Sequence, residues 1–293
     1  MRILMIVAMM GWGLVWPLSK MLIDYGTPEQ IAALRFLLVS LCFLPIIFIF
    51  RISFVIPLKA LIPTLLTGVL NALYSYLMYV GMPYGDAGNA GVITEVLAPI
   101  MAAFLWSAYR KEHLSVRKRW GLLLGVLAGA ILVNLFGDIT SLLHIFHIVY
   151  LLAALDWAFL MITSRLATES INAISLNFYA SLITFILLCP SLISNSSDQI
   201  LSASYEFWIW LLLVAVFCTV FSTTIFYKAL FVLGVVEGGI YALLVPVFAL
   251  FFSYILLGEV PHWHTILGGI LAVGSIYIIN YLGQNPFVRK KKV

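Results

Sequence analysis

The chain has 293 residues, of which 63% are apolar and only 10% are charged, and its formal net charge is +4. Because soluble domains carry about 25% charged residues, this composition excludes a water-soluble globular protein. The three cysteines form no paired spacing and no CxxC motif, which argues against a disulfide framework or a cysteine metal site.

Ten apolar runs follow one another along the chain, bounded by charged residues, prolines, glycines and serines. A membrane core about 30 Å thick needs about 20 apolar residues for one helical crossing, so each run predicts a transmembrane helix. Lipid leaves only helices or closed barrels as spanning structures, and the runs lack the two-residue alternation of barrel strands. The predicted fold is therefore an all-α integral membrane protein, with runs at 3–22, 29–50, 58–80, 86–108, 119–137, 145–166, 173–193, 207–231, 235–257 and 264–283.

Lysines and arginines predict the orientation of these helices. If the N-terminus is cytoplasmic, most of the 16 basic residues fall on the inner side, including those within 110–119 and 289–292. Lys20 and the partly embedded Arg35 are exceptions, and both lie near helix ends, where long side chains can snorkel to the interface. Because basic residues accumulate in cytoplasmic loops, both termini are predicted to be cytoplasmic.

A shift of about 145 to 147 residues aligns five features of the first half with five of the second, which indicates an internal repeat. Each half would hold five helices, and because five is odd the second copy must enter the membrane from the opposite side. We therefore expect two inverted five-helix repeats, 1–137 and 143–283, followed by a basic cytoplasmic tail, 284–293. Inverted repeats are typical of secondary transporters that bind substrate near the midplane. The aligned pairs are Trp12 with Trp157, Lys20 with Arg165, Pro99 with Pro246, Glu112 with Glu259, and Gly121 with Gly268.

Short motifs occur in both halves. They are Trp12-Gly13, Trp16-Pro17, Lys20, Arg35-Phe36, Ala87-Gly88-Asn89-Ala90 and Leu97-Ala98-Pro99, then Tyr227-Lys228-Ala229-Leu230, Leu244-Val245-Pro246 and Leu257-Gly258-Glu259. Together they resemble the EamA-like ten-helix branch of the drug/metabolite transporter superfamily, over essentially the whole chain. The resemblance implies a carrier of the cell inner (plasma) membrane. Many members of that family export amino acids and other small metabolites, and helices 1, 3, 4, 6, 8 and 9 form their central cavity.

Glu95 is the most informative single residue, because it lies near the centre of the fourth apolar run. A charged side chain at that depth costs about 2.5 to 3.5 kcal/mol on insertion scales, so its presence needs a reason. Gly88 and Gly91 share its helix face at steps of three and four residues. Glu95 is therefore predicted to be a proton or cation site facing a cavity. The alternative is a neutral glutamic acid hydrogen-bonded to a neighbouring helix.

Asp156 lies in the middle of the sixth run, and the same argument makes it a second candidate for proton coupling. Two carboxylates at the midplane could couple proton movement to transport or could bind an amine. The equally weighted alternative is a polar contact between Asp156 and Trp157 or a tyrosine.

The remaining candidate cavity residues are polar or aromatic side chains on the other cavity helices. Hydroxyls and amides form stripes along the third and eighth runs, and several tryptophans lie too deep for a simple interfacial belt. For single residues the competing explanation is packing between helices. The predicted set is Trp12, Trp16, Asn71, Tyr74, Trp157, Ser222, Tyr227 and Tyr241, together with Glu95 and Asp156.

The sequence thus predicts a secondary transporter that moves a small metabolite, such as an amino acid or amine, by alternating access. Export and coupling to protons are further expectations. No nucleotide-binding or catalytic motif is present, so we expect no enzyme activity, no cofactor and no nucleic-acid partner. Its partners should be the small-molecule substrate and the lipid bilayer, with the protein a monomer. A channel, a metal-ion permease using the outer histidines (His144, His147, His262 and His264), and an intramembrane enzyme remain alternatives.

Overall fold

The computed structural model describes residues 1–110, 116–137, 143–193, 200, 202–226 and 241–280. Within these ranges the chain forms ten helices and no strand, as the apolar runs predict. The helices are α1 (Arg2–Leu22), α2 (Pro28–Ile49), α3 (Leu58–Gly81), α4 (Ala87–Arg110), α5 (Val116–Leu132), α6 (Ile145–Thr168), α7 (Ala173–Leu188), α8 (Tyr205–Phe226), α9 (Val245–Leu257) and α10 (Trp263–Asn280).

Seven of these helices, α1 to α4 and α6 to α8, are long and apolar enough to cross a membrane, and α5, α9 and α10 are shorter apolar helices. Two ends differ from the apolar runs. The fifth run continues to 137, but α5 stops at Leu132 and Asn134 adopts a left-handed conformation with φ of 56°. The seventh run continues to 193, but Pro190 follows α7 and the chain tightens into a 3-10 turn, Cys189–Ile193. In the described part of the ninth run, residues 241 and 242 are helical, 243 and 244 form a turn, and helix α9 begins at Val245.

Helix α8 contains an unusual segment, because Leu213–Phe221 is π-helical. Hydroxyl groups bond to carbonyl oxygens five residues earlier: Thr219 Oγ1 donates to Val214 at 2.8 Å, and Ser222 Oγ donates to Phe217 at 3.0 Å. π-helical turns inside α-helices are rare and often occur at functional sites.

Helix α3 is polar towards the protein and apolar towards its surroundings. Its buried face carries Thr64, Thr67, Tyr74 and Ser75. Its exposed face is formed by large apolar side chains, namely Leu58, Leu61, Ile62, Leu65, Leu66, Val69 and Leu73. A contiguous apolar surface of this kind marks contact with a membrane or a partner rather than with water. With the long apolar helices, it identifies a multi-pass integral membrane protein.

The helix packing has a regular pattern when each helix of the first half is matched with the helix five places later. Three matched pairs pack directly on each other: α2 on α7, α4 on α9 and α5 on α10. Helix α1 packs on α8 and α9, and its match α6 packs on α3 and α4. These contacts therefore remain the same when the two halves are exchanged.

Helices α2 and α7 run antiparallel. Gln30 Nε2, near the start of α2, donates to the carbonyl oxygen of Ser191 beyond the end of α7, at 3.1 Å. Ser175 Oγ, near the start of α7, donates to the carbonyl oxygen of Ser53 beyond the end of α2, at 2.9 Å. The two matched helices thus point in opposite directions.

The other two matched pairs are also antiparallel. Ser275 Oγ, near the end of α10, donates to the carbonyl oxygen of Gly121, near the start of α5, at 2.6 Å. Glu259, just after α9, accepts a hydrogen bond from the backbone N–H of Ala87, the first residue of α4. We call the end of the bundle that holds Lys20, the start of α4 and the end of α9 the Lys20 end. Arg165, near the end of α6, marks the opposite end.

Candidate functional site

Tyr74, on α3, lies buried in the interior of the bundle. Arg35 on α2, Glu95 on α4, and Tyr150 and Asp156 on α6 all contribute to the electrostatic field at its hydroxyl. These residues come from four helices that are distant in sequence, so only the packing of the bundle brings them together. The two carboxylates that the sequence singles out lie on helices that pack on each other, since Glu95 is on α4 and Asp156 is on α6.

Asp156 is buried without a partner among the described residues. Its side chain is 6% exposed, and neither carboxylate oxygen accepts a hydrogen bond. An unpaired carboxylate in a low-dielectric interior is costly unless it is neutralised or bound by a ligand. Among the described residues, Asp156 therefore does not accept a hydrogen bond from Trp157 or from a tyrosine, which is the alternative role considered for it.

Arg35 is a residue of this site that sequence reasoning left out of the cavity set. Its side chain is 8% exposed rather than extended to the membrane interface. One terminal nitrogen, Nη2, donates to Thr219 Oγ1 on the π-helical segment at 3.1 Å, whereas Nε has no partner in the described part of the chain. The sequence feature that could have identified Arg35 is its position seven residues after the start of α2. A long side chain at that depth can reach either the protein interior or the membrane interface.

The glycines preceding Glu95 bring α4 close to α1 and α9. A Cβ atom on Gly88 would lie 3.1 Å from the Leu250 and Ser253 side chains of α9. A Cβ on Gly91 would lie 2.8 Å from Ala249 Cβ and 2.9 Å from the ring of Trp16. Glu95 continues this face by one helical turn, so it lies on the side of α4 that meets the second half of the protein.

Aromatic rings line the same region. The rings of Tyr74 and Trp157 lie 4.8 Å apart, which places this predicted pair in direct contact. Trp16, 1% exposed, approaches Tyr150 at 6.0 Å, and its indole Nε1–H has no acceptor among the described residues. The centre of the bundle thus combines charged groups with apolar ring faces.

Trp12 and Tyr241 lie together in a second cluster, further towards the opposite end of α1. Trp12 packs on Phe226 with ring centroids 4.9 Å apart, and both Trp12 and Tyr241 pack against the buried cluster of Met5, Ala8, Met9 and Val245. The structure therefore brings α1, α8 and the start of α9 together here. Tyr227 lies outside the described residues.

Two predicted cavity residues make direct contacts between or within helices. Asn71 Nδ2 donates to Thr184 Oγ1 on α7 at 2.8 Å. Ser222 is fully buried, donates to a carbonyl of its own helix, and packs so closely on α1 that a Cβ on Gly11 would lie 2.2 Å from its Oγ. Their contribution to a cavity stays a prediction.

A polar connection closes the Lys20 end of the bundle, and we call it the Lys20–Glu259 latch. Lys20 Nζ lies 2.7 Å from Glu259 Oε1 and donates to the carbonyl oxygen of Gly85, also at 2.7 Å. The same carboxylate accepts the backbone N–H groups of Ala87 and Gly88, each at 3.0 Å. Glu259 therefore caps the positive N-terminal end of α4 and holds it beside the end of α1.

The histidines at this end form two ring contacts. His262 and His264 are stacked with centroids 5.2 Å apart and an interplanar angle of 10°, and His144 lies 6.1 Å from His147. Parallel stacked rings cannot both direct a nitrogen at one ion in the plane of each ring. In the described ranges no three metal-ligating side chains gather around a common point.

An all-helical bundle with an apolar outer surface and a partly unpaired charged centre defines a polytopic membrane protein with an internal polar site. The EamA-like transporter family model matches residues 1–135 and again residues 144–281, so the chain belongs to the EamA-like transporter family. This confirms the resemblance that the motifs indicate. The family and its relatives identify the chain as a membrane transporter.

Relatives of the same kind cover most of the chain. Uncharacterized transporter YdfC of Bacillus subtilis (strain 168) is 26% identical over 94% of this chain and 88% of its own length. Uncharacterized transporter YoaV of the same organism is 25% identical over 96% of this chain and 95% of its own. A protein known by its crystal structure is similar in fold, with a TM-score of 0.63, 15% identity and 96% of both chains covered.

Proposed function

We propose that the protein is a secondary transporter of the cell inner membrane that moves a small metabolite, an amino acid, an amine or a related compound, by alternating access. Two inverted five-helix repeats, 1–137 and 143–283, form the two moving halves, with both termini and the basic tail, 284–293, in the cytoplasm. The substrate binds between the halves, and the direction of transport is export. Protons are coupled to substrate through Glu95 and Asp156.

Three observations support the inverted repeats. The family model matches the chain twice, once in each half. The main packing contacts are retained when each helix is replaced by its match. The matched pairs α2/α7, α4/α9 and α5/α10 all run antiparallel, as a twofold axis in the membrane plane requires. Such an arrangement can exchange the conformations of its halves and so open one site to either face.

The observation that carries the proposal is the unpaired carboxylate of Asp156 in the interior of the bundle, on a helix that packs against the helix of Glu95. A carboxylate buried in a low-dielectric interior is more stable when it is protonated or bound to a cationic group than when it is ionised and unpaired. A coupled carrier needs buried ionisable groups of this kind. When the proton or ligand leaves, the net charge buried in the closed site changes, and so does the energy of that closed conformation. A merely structural carboxylate would be expected to have hydrogen-bond donors.

The Lys20–Glu259 latch supports a conformation closed at the Lys20 end. It joins α1 and α4 of the first half to the segment between α9 and α10 of the second half, so the halves cannot separate there while it is formed. Because the basic residues predict that this end faces outwards, we propose that this conformation is the one closed to the outside. Opening requires Glu259 to leave the N-terminus of α4.

The test combines ligand screening with flux in reconstituted vesicles. Amino acids, amines, nucleosides and organic anions are screened by thermal shift, where a ligand at about 100 times its dissociation constant adds about 2.7 kcal/mol of stability. A radiolabelled hit is then measured for saturable counterflow. Asp156→Asn and Glu95→Gln should remove proton-dependent flux, whereas the exposed-residue controls Asp24→Asn and Glu169→Gln should leave flux unchanged.

Three results would contradict the proposal. Ion conductance without saturation or counterflow would identify a channel. Wild-type flux and wild-type proton dependence in both Asp156→Asn and Glu95→Gln would remove the carboxylates from the mechanism. Formation of product by the purified protein in detergent, without a membrane gradient, would favour the intramembrane enzyme.

A further inference from the structure

A small polar pocket lies beside the Lys20–Glu259 latch, and the transport mechanism proposed above does not use it. Its polar side chains are Asp86 and Asn89 at the start of α4, Ser253 near the end of α9, and Glu259 just after α9. We call the pocket between these four residues the α4–α9 pocket. Two of the four come from each half of the protein, so the pocket is complete only while the two halves are together at this end.

The hydroxyl of Ser253 is buried in this pocket without a partner. The residue is 1% exposed, and its Oγ forms no hydrogen bond among the described residues. A serine inside a helix often bonds to a carbonyl oxygen of the preceding turn, as Ser75 does to Asn71 at 2.7 Å. Because burial of a polar group without a hydrogen bond costs free energy, the hydroxyl of Ser253 indicates a ligand that meets it.

Asn89 has an unpartnered oxygen at the same place. Its Nδ2 donates to Asp86 Oδ2 at 3.2 Å, whereas Oδ1 is buried and accepts no hydrogen bond in the described part of the chain. The pocket thus holds two unpartnered oxygens, one from α4 and one from α9, together with two carboxylates. Such a set of oxygens repels an anion and attracts a cation.

The charges at the pocket favour a monovalent cation. The charge of Glu259 is balanced by Lys20, whose Nζ lies 2.7 Å from Oε1. Asp86 forms no ion pair within the described ranges, so the three formal charges sum to −1. One monovalent cation neutralises this charge, whereas a divalent ion would leave an excess positive charge beside Lys20. Calcium sites usually contain several carboxylates that are free to coordinate the ion.

The approach of α4 to α9 limits the size of the cation. A Cβ atom on Gly88, which borders the pocket, would lie 3.1 Å from Ser253 Cβ and 3.3 Å from Leu250 Cα. The backbones of the two helices are therefore close together at this level. The space between their side-chain oxygens suits a bare ion rather than an organic amine, and it favours the smaller of the common monovalent ions.

We propose that the α4–α9 pocket binds a sodium ion, held by the carboxylate of Asp86, Oδ1 of Asn89 and Oγ of Ser253 beside Glu259. Carboxylate, amide and other oxygen ligands are those that hard cations prefer. Because the ligands come from both α4 and α9, the ion binds the closed conformation more tightly than one in which these segments have separated. Sodium on this side of the membrane therefore stabilises the conformation closed at the Lys20 end.

Binding of radioactive sodium to the purified full chain in detergent tests the site directly, with choline chloride used to keep the ionic strength constant. The wild type should bind sodium saturably, potassium should compete more weakly, and choline should not compete. Asp86→Asn and Ser253→Ala should each weaken binding about tenfold or more, since even the outer partners of a metal site are typically worth about 10- to 100-fold in affinity. The control Asp24→Asn, which removes an exposed carboxylate at the same end, should leave binding unchanged.

Two further measurements address the charge of the ion and the conformation of the latch. Asn89→Asp adds a second unbalanced carboxylate and should shift the preference from sodium to calcium. The backbone N–H groups of Ala87 and Gly88, which donate to Glu259, should exchange with deuterium more slowly in sodium than in choline. This slowing should disappear in Ser253→Ala, which retains every charge and also serves if Asp86→Asn does not fold.

Absence of saturable sodium binding would overturn the assignment, as would wild-type affinity in both Asp86→Asn and Ser253→Ala. Equal amide exchange in sodium and choline would refute the effect on the latch, and tighter binding of calcium than of sodium by the wild type would overturn the choice of a monovalent ion. Sodium binding with the expected variant pattern but no flux in vesicles would leave the site intact and refute the transport proposal. Saturable flux without sodium binding would do the reverse.

Discussion

Replacement of Glu259 by glutamine tests the latch most directly. The glutamine would keep the size of the side chain and one carbonyl acceptor, but it would lose the negative charge that meets Lys20 and the N-terminus of α4. The Lys20 side chain is 28% exposed, so the ion pair itself contributes at most about 1 kcal/mol. An anion at a helix N-terminus adds about 0.3 to 1 kcal/mol, and more where it is partly buried.

The loss in the closed state is therefore about 2 kcal/mol, which corresponds to about a 30-fold rise in the population open at the Lys20 end, since 1.4 kcal/mol is tenfold. Ser253 reports this opening, because it lies beside Glu259 and Asn89 and is 1% exposed. A Ser253→Cys reporter, in a chain whose three native cysteines are replaced by serine, is labelled with a membrane-impermeant maleimide. Its labelling rate should rise by up to this factor in Glu259→Gln.

A matched control and a charge swap make the test selective. Glu206→Gln removes an exposed carboxylate from the first turn of α8 at the same end of the bundle, and it should leave the Ser253→Cys labelling rate unchanged. The swap of Lys20→Glu with Glu259→Lys restores an ion pair but places a cation at the start of α4, so it should not restore closure. Equal labelling rates in wild type and Glu259→Gln, or full rescue by the swap, would refute this account of the latch.

Two further predictions concern helix packing. Gly13→Ala should destabilise the protein by about 1 to 3 kcal/mol in detergent unfolding, because the added Cβ would lie 2.5 Å from Phe248 Cβ. The control Gly274→Ala should not, since the nearest atom to its Cβ is 3.9 Å away. Equal stability of the two variants would contradict the α1–α9 contact. A double-mutant cycle of Asn71→Ala and Thr184→Val should give a coupling energy of about 0.6 kcal/mol, the average for hydrogen bonds between membrane helices, and a value near zero would contradict their bond.

Much of the architecture could be predicted from the sequence, because lipid permits few structures. Each apolar run contains a helix in the described residues, since a spanning segment must satisfy its own backbone hydrogen bonds. The predicted helix ends were less accurate than the predicted helices. At Asn134, for example, the backbone turns while apolar residues continue along the sequence. The π-helical segment Leu213–Phe221 has no local sequence signal that distinguishes it from an α-helix.

The candidate site could be predicted only in part. Glu95 and Asp156 stand out because charge is rare in apolar runs, so depth alone identified them. Arg35 did not stand out, because it lies nearer a helix end and its partner Thr219 is 184 residues away. For Asn71 the same limit applies, since nothing in the local pattern specifies a bond to Thr184 of α7. Long-range contacts of this kind depend on how the helices pack.

The two faces of α3 reverse the usual cost of substitution. At the lipid-facing positions Leu65, Val69 and Leu73, one apolar residue can replace another with little effect, whereas a charged residue at mid-depth costs about 2.5 to 3.5 kcal/mol. On the inner face, an apolar replacement of Thr67 removes its bond to Thr163 of α6. Exchange of one apolar residue for another should therefore be tolerated on the outer face of α3, whereas substitutions on its polar inner face should be restricted. A helix at the surface of a soluble protein shows the opposite pattern.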